Sequence, residues 1–192
     1  MNDYPGKRLL DLFAAGTACV VFAPVAVGVT IAVWLDDGGP PLFSQLRVGR
    51  ERVPFTLHKF RSMRINEVTR VGQWLRRTGI DELPQFVNVC LGEMSVVGPR
   101  PLTAHDVERL RWDGADYDWR FAAKPGITGL SQLLAGQGSR ASRRLDRLYL
   151  RRQSLALDLQ LIALSFAVNI AGKPKVRRWL RTTLATGPGM PP

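Results

Sequence analysis

An apolar segment at residues 9–34 constrains the fold of this chain more than any other feature. The segment is 26 residues long, and Asp11 is its one charged side chain. A straight helix of about 20 apolar residues is long enough to cross a bilayer. Because proline cannot donate a backbone hydrogen bond, Pro24 near the middle predicts a kink or a break in that helix. The apolar run is too long for a signal peptide, and its length disfavours an ordinary core helix.

Charges on the two sides of this segment leave two membrane topologies open. Lys7 and Arg8 precede it. The basic residues that follow it are Arg47, Arg50, Arg52, Lys59 and Arg61. Positive residues favour the cytoplasmic side of a membrane, and here both flanks carry them. A helix broken at Pro24 that enters and leaves by the same face satisfies both flanks, and a single span with a short tail outside is the equal alternative.

The net charge of the chain indicates an anionic partner. It is +11 at pH 7, with an isoelectric point near 10.8. A nucleic acid, the anionic cytoplasmic leaflet and a phosphorylated small substrate all fit this charge. Aromatic residues make up 8% of the chain, and no stretch interleaves them with basic residues as in single-strand binders. A nucleic-acid partner is therefore disfavoured, and we predict none.

Two adjacent carboxylates, Asp81 and Glu82, are the first candidates for chemistry. They stand ahead of Pro84, which is tolerated in the first turn of a helix. This order predicts Asp81 at or near a helix N-cap, with Glu82 in the first turn, and such a pair commonly serves only as a cap. Chemistry is favoured by the Gly-Pro-Arg-Pro sequence at 98–101, where two prolines hold Arg100 in a stiff backbone suited to a phosphate.

Residues 42–47 and 53–60 are predicted to form a β-hairpin that turns around Gly49. Lys59 lies in the second strand, and Arg61 follows two residues later. Because residues two apart in a strand share a face, both side chains are predicted to reach one site.

The C-terminal part of the chain predicts two helices. Arginines at 140, 143, 144, 147 and 151 recur at three- and four-residue spacing, which places them on one helix face suited to a membrane surface or a phosphate-rich substrate. The apolar stretch at 155–170 is 16 residues long, short for a span, and predicts a core or interfacial helix.

In combination these motifs resemble the small monotopic phosphoglycosyl transferases, the bacterial sugar transferase family. The resemblance covers nearly the whole chain. The residues that carry it are Lys7-Arg8 with Asp11, Pro24, Gly39-Pro40, Lys59-Phe60-Arg61-Ser62-Met63, Asp81-Glu82-Leu83-Pro84-Gln85, Asn88-Val89, Gly92-Glu93-Met94-Ser95, Gly98-Pro99-Arg100-Pro101, Lys124-Pro125-Gly126-Ile127-Thr128-Gly129 and Asp158-Leu159.

The resemblance implies an α+β fold with three parts. Residues 1–36 are expected to form a re-entrant membrane helix broken at Pro24, which decides between the two topologies. Residues 37–182 are expected to form the catalytic domain, a small globular unit with a β-hairpin and with amphipathic helices on the membrane surface. Residues 183–192 are expected to be a disordered tail. The implied location is the bacterial inner membrane, monotopic, with the catalytic domain on the cytoplasmic face.

The reaction that the resemblance implies is transfer of a sugar 1-phosphate from a UDP-sugar to a membrane polyprenyl (undecaprenyl) phosphate, with release of UMP. Such a step begins glycoconjugate assembly, for example of an exopolysaccharide. Asp81 is expected to be the nucleophile of a ping-pong mechanism and Glu82 to bind Mg²⁺. Phosphate contacts are expected from Lys59, Arg61, Arg100 and Arg120. Membrane lipids are further partners, and a homodimer is left open.

Two departures from the family pattern concern specificity more than reaction type. Gly79-Ile80 replaces a Ser-Leu type of sequence before Asp81, and the segment at 63–70 is shortened. The main alternative is a non-catalytic scaffold of the same fold that binds the membrane surface, which the intact Asp81 and Glu82 argue against.

Overall fold

The computed structural model describes residues 3–134 and 139–171 as an α+β fold, which confirms the predicted class. The C-terminal part of the predicted catalytic domain beyond residue 171 and the predicted tail at 183–192 lie outside the described residues. Eight α-helices and six short strands are assigned within the described ranges.

The first helix, α1 (Lys7–Asp37), is 31 residues long and contains Pro24. Gly6 and Gly38 flank it in the left-handed conformation, at φ values of 90° and 69°. The assigned helix continues through Pro24, so the predicted break is not confirmed. A proline removes one hydrogen bond, and here both flanking halves of the helix are packed on the rest of the protein. By length and composition α1 could cross a membrane, and it is the one helix among the described residues that could.

Three pairs of strands make up the β structure. The predicted hairpin is confirmed: β1 (Leu42–Val48) and β2 (Pro54–Phe60) are antiparallel, with Phe43 opposite Lys59 and Arg47 opposite Phe55. A short antiparallel pair follows, β3 (Met63–Arg64) and β4 (Glu67–Val68). The last pair, β5 (Ser95–Val97) and β6 (Gly126–Thr128), is parallel and lies on either side of the long connection at 98–125.

The remaining helices surround these strands. They are α2 (Arg70–Thr78), α3 (Gln85–Leu91), α4 (Ala104–Arg109), α5 (Asp118–Phe121), α6 (Leu130–Leu134), α7 (Ser139–Arg152) and α8 (Leu155–Ala171). The arginines of the predicted basic stripe on α7 are exposed. One side of α8 is buried at Leu161, and another is exposed at Leu159 and Phe166. The placement of these helices on a membrane surface stays a prediction.

Both halves of α1 pack against the folded domain. Ala15, in the first half, belongs to the main core cluster together with residues of α3, β5, α7 and α8. Val29 and Val33, in the second half, pack with Phe60 of β2 and Leu75 of α2. Leu102, Val107, Trp112 and Phe121 form a third hydrophobic cluster. The long apolar helix therefore forms part of the core.

A buried polar cluster fixes the start of α1. The Lys7 Nζ donates to Asp158 Oδ2 at 2.7 Å and to the Val97 carbonyl at 3.0 Å. Tyr149 Oη donates to Asp158 Oδ1 at 2.8 Å and lies 3.2 Å from the Lys7 Nζ. One turn on, Asp11 Oδ1 accepts the Val96 N–H at 2.9 Å. These bonds tie α1 to β5, α7 and α8.

Candidate active site

Asp81 and Glu82 lie in a 3₁₀ turn (Ile80–Glu82) that connects α2 to α3. Gly79 begins this turn at φ 75°, a left-handed conformation that glycine adopts without strain. The N-cap of α3 is Pro84, and no side chain caps that helix. The N-cap position predicted for Asp81 is therefore wrong by three residues. The Asp81 carboxylate is therefore not used as a cap of α3.

A group of opposite charges surrounds the two carboxylates. Lys59, at the end of β2, donates to Glu82 Oε1 at 2.6 Å. Burial raises the pKa of Asp81, and the neighbouring Glu82 raises it further, while Lys59 and Arg76 lower it. The nearby cations therefore offset part of the cost of charging Asp81 in a half-buried position.

Arg76 is a member of this group that the sequence analysis missed. It lies in the last turn of α2, and its Nε donates to Ser62 Oγ at 2.8 Å. Basic residues near a helix end usually form a solvated face, so the local sequence does not single out Arg76. The tight turn at Gly79 brings the last turn of α2 back toward Asp81, and this return was not visible from the spacing.

Lys59 and Arg61 bind different carboxylates in the structure. Arg61 forms an ion pair with Asp37 at the C-terminal end of α1, and the Asp37 side chain is buried. The period-two rule does not extend to Arg61, because β2 ends at Phe60. In this position Arg61 holds the end of α1 on the domain.

Arg100 is exposed on the turn after β5, and a second arginine lies behind it. Arg47 on β1 donates to the Pro101 carbonyl at 3.2 Å. Burial lowers the pKa of Arg47, the charge of Arg100 lowers it further, and Glu82 acts in the opposite direction. The hairpin register places Arg47 on the same face as Lys59. The sequence analysis named Arg47 only among the basic residues that follow the apolar segment.

Arg120 is buried behind the same turn. Its Nε donates to Asp146 Oδ2 on α7 at 2.9 Å, and its Nη2 donates to the Arg100 carbonyl at 2.7 Å. The predicted phosphate contact of Arg120 does not fit this position, because the guanidinium is enclosed and is already paired with a carboxylate.

A divalent cation would find few protein ligands at this site. Among the described residues, no three His, Cys, Asp or Glu side chains are grouped so that they could hold a metal ion. Mg²⁺ commonly takes one or two carboxylates and completes its shell with substrate phosphates and water. Glu82, with Asp81 beside it, fits a site that substrate phosphates and water complete. It does not fit a site in which protein ligands alone surround the ion.

Comparison with known proteins decides the family. The model of the bacterial sugar transferases matches residues 2–172. This chain belongs to the bacterial sugar transferase family. The match extends across α1, the hairpin, the Asp81-Glu82 turn and α8, so the family pattern includes the long apolar helix as well as the candidate site.

Three known proteins illustrate the similarity to this chain. A UDP-glucose:undecaprenyl-phosphate glucose-1-phosphate transferase of Klebsiella pneumoniae is 38% identical over 180 residues, which cover 83% of this chain and 39% of that protein. A Caulobacter vibrioides protein of the same description is 39% identical, with 81% and 62% covered. The exopolysaccharide production protein PSS of Rhizobium leguminosarum bv. phaseoli is 36% identical, with 81% and 90% covered. The chain thus spans less than two thirds of the first two relatives.

The raised pKa of Asp81 predicts how its removal affects stability. Because the folded state disfavours the charged carboxylate, we expect Asp81→Asn to raise the midpoint of thermal unfolding at neutral pH. The increase in the midpoint should be largest above the raised pKa of Asp81 and should shrink as the pH falls through that pKa. It should vanish below the ordinary pKa range of aspartate, where Asp81 is protonated in both the folded and the unfolded state. Unfolding followed by intrinsic fluorescence across this pH range measures it.

The matched control is Asp113→Asn, at an exposed aspartate remote from the cations of the site, which should leave the midpoint unchanged. A lower midpoint for Asp81→Asn at neutral pH would contradict this expectation. It would indicate that the Asp81 carboxylate has a structural role.

Proposed function

We propose that this chain transfers a sugar 1-phosphate from a UDP-sugar to undecaprenyl phosphate or a similar polyprenyl phosphate, and releases UMP. The observation that carries the proposal is the half-buried Asp81 carboxylate, which caps no helix and lies among Glu82, Lys59 and Arg76. The names of the Klebsiella and Caulobacter relatives, both UDP-glucose:undecaprenyl-phosphate glucose-1-phosphate transferases, support the donor and acceptor classes.

In the first step an Asp81 carboxylate oxygen attacks the phosphorus atom that carries the sugar. A bond forms between that oxygen and phosphorus, and the phosphorus–oxygen bond to UMP breaks, so UMP leaves with the electron pair. In the second step an oxygen of the polyprenyl phosphate attacks the same phosphorus. The acyl-phosphate bond breaks, the Asp81 carboxylate is restored, and the sugar diphospholipid is the product.

The cations of the site reduce the repulsion between an anionic nucleophile and an anionic donor. Lys59 and Arg76 lie on the Asp81 side, and Arg100, with Arg47 behind it, lies on the side of the Gly-Pro-Arg-Pro turn. We assign the first pair to the attacked phosphate and Arg100 to the phosphate that leaves with UMP. Arg61 is assigned to holding the end of α1, in place of the phosphate contact.

Glu82, with Asp81 next to it, would hold Mg²⁺ together with the donor phosphates. When bound, the ion neutralises charge on the diphosphate and so assists both attack and departure. Lys59 fixes the Glu82 carboxylate at 2.6 Å, and this bond presents Glu82 in one orientation.

We propose further that α1 enters and leaves the membrane on one face, the cytoplasmic face of the inner membrane. Its first residues are tied to the domain through Lys7, and its last through the ion pair of Asp37 with Arg61. Between them Val20 and Val27 are 76% and 61% exposed and offer an apolar surface to lipid. A span that left the domain would have to give up one of the two attachments.

Intact-mass measurement tests the chemistry. Purified protein in detergent is incubated with Mg²⁺ and a panel of UDP-sugars, without a lipid acceptor. We expect a mass increase of one sugar phosphate for the productive donor, no increase for Asp81→Asn, and loss of the adduct with release of product when polyprenyl phosphate is added.

Glu108→Gln, at an exposed carboxylate on α4, is the matched control and should form the adduct like the parent. If folded parent protein forms no adduct with any donor and releases no UMP in the presence of acceptor, the enzymatic proposal fails and the scaffold of the same fold is favoured.

Cysteine labelling tests the topology. In a Cys19→Ala/Cys90→Ala background, Asp3→Cys and Glu108→Cys place single thiols before α1 and on the catalytic domain. With a membrane-impermeant maleimide on spheroplasts, we expect neither thiol to react until the membrane is permeabilised. Reaction of the thiol at position 3 alone in intact spheroplasts would indicate a single span.

A further inference from the structure

We propose that Arg120, held by Asp146, is a positioning residue that sets the direction of Arg100 toward the donor phosphate. This inference rests on the proposed function and gives a role to a buried ion pair that touches no reacting atom. It replaces the phosphate contact expected of Arg120 from the sequence.

The backbone around Arg100 is held chiefly through its carbonyl oxygens. Pro99 and Pro101 have no backbone N–H, so neither can donate to a neighbouring strand. The Pro99 carbonyl accepts from the first residue of β6 at 2.9 Å, and the Pro101 carbonyl accepts from Arg47 at 3.2 Å. Between them the Arg100 carbonyl accepts from Arg120 Nη2 at 2.7 Å. Arg120 therefore supplies the bond that fixes the peptide of Arg100 itself.

Arg120 is itself fixed on several sides. Its side chain is 4% exposed and that of Asp146 is 3% exposed. The guanidinium carbon lies 5.2 Å from the ring centre of Trp112 and 5.7 Å from that of Phe121. Because one arm of the planar guanidinium binds Asp146 and another binds the Arg100 carbonyl, it cannot rotate without breaking a charge-assisted hydrogen bond.

The consequence for Arg100 follows from its exposure. Its side chain projects from the turn into solvent, so its direction depends on the orientation of its own backbone. If the peptide at 100 tilts, the guanidinium at the end of the side chain is displaced from the phosphate. A displacement of about 1 Å in a reacting complex can reduce the rate on the order of 100-fold.

The test replaces the ion pair by apolar side chains, Arg120→Met with Asp146→Leu, because such replacements of buried pairs often preserve stability. Arg100→Ala and the combined variant complete a double-mutant cycle. For each protein in detergent with Mg²⁺, the rate of adduct formation on Asp81 and the equilibrium affinity for UMP are measured.

We expect the pair replacement to keep the parental unfolding midpoint and to lower the adduct rate on the order of 100-fold. In the Arg100→Ala background it should add less than about threefold, because both changes remove the same contact. UMP affinity should follow the same non-additive pattern. Arg120→Lys is the second variant if the pair replacement does not fold: it keeps a buried charge against Asp146 but lacks the fork that reaches the carbonyl as well, and the same pattern is expected.

Leu161→Ala, a buried change on α8 that shares no partner with Arg100, is the control for loss of stability. It should lower the midpoint, and its effect on rate should combine fully with that of Arg100→Ala. The proposal is overturned if the pair replacement leaves rate and UMP affinity at parental values, or if its loss multiplies with that of Arg100→Ala. If the parent protein forms no adduct, the proposed function is contradicted. The UMP affinities of the same variants then test the positioning role of Arg120 through the same double-mutant cycle.

Discussion

The buried cation of Lys7 is the interaction on which the rest of the structure depends. A charge in this position is stable only when it is paired and hydrogen-bonded, and Lys7 is bonded to Asp158, to Tyr149 and to the Val97 carbonyl. Its side chain is 6% exposed and that of Asp158 is fully buried. The first turn of α1 is thereby joined to β5, α7 and α8. Without Lys7, the Asp158 carboxylate would remain buried with hydrogen bonds but without the cation of its ion pair.

This attachment links α1 to the candidate active site. Val97 ends β5, and the turn that carries Arg100 begins at the next residue. The turn approaches β6 so closely that a side chain at Gly126 would overlap the backbone of Gly98, and only glycine permits this approach. From one side the turn is braced by Lys7 and from the other by Arg120. The proposed phosphate site is therefore held by hydrogen bonds on both sides, and one of the donors, Lys7, also seats α1.

Local patterns in the sequence predicted the elements, but not the contacts between them. Two strand-like stretches around Gly49 predicted the hairpin, three- and four-residue spacing predicted α7, and the sequence before Pro84 indicated Asp81 as a candidate. The partners of Lys7 and Arg120 lie 151 and 26 residues away, and no local periodicity indicates a pairing at such separation. Arg76 was missed because a tight turn folds it back. The period-two rule for strands does not extend beyond the end of an element, as at Arg61.

Isotope exchange tests directly whether Asp81 carries the sugar phosphate between two substrates. Labelled UMP and an unlabelled UDP-sugar are incubated with the protein and Mg²⁺ in the absence of polyprenyl phosphate. The account predicts that label enters the UDP-sugar, because UMP can attack the Asp81 intermediate, and that Asp81→Asn abolishes this exchange. A parent protein that completes transfer to polyprenyl phosphate but exchanges no label without it would contradict the account, since transfer would then be direct.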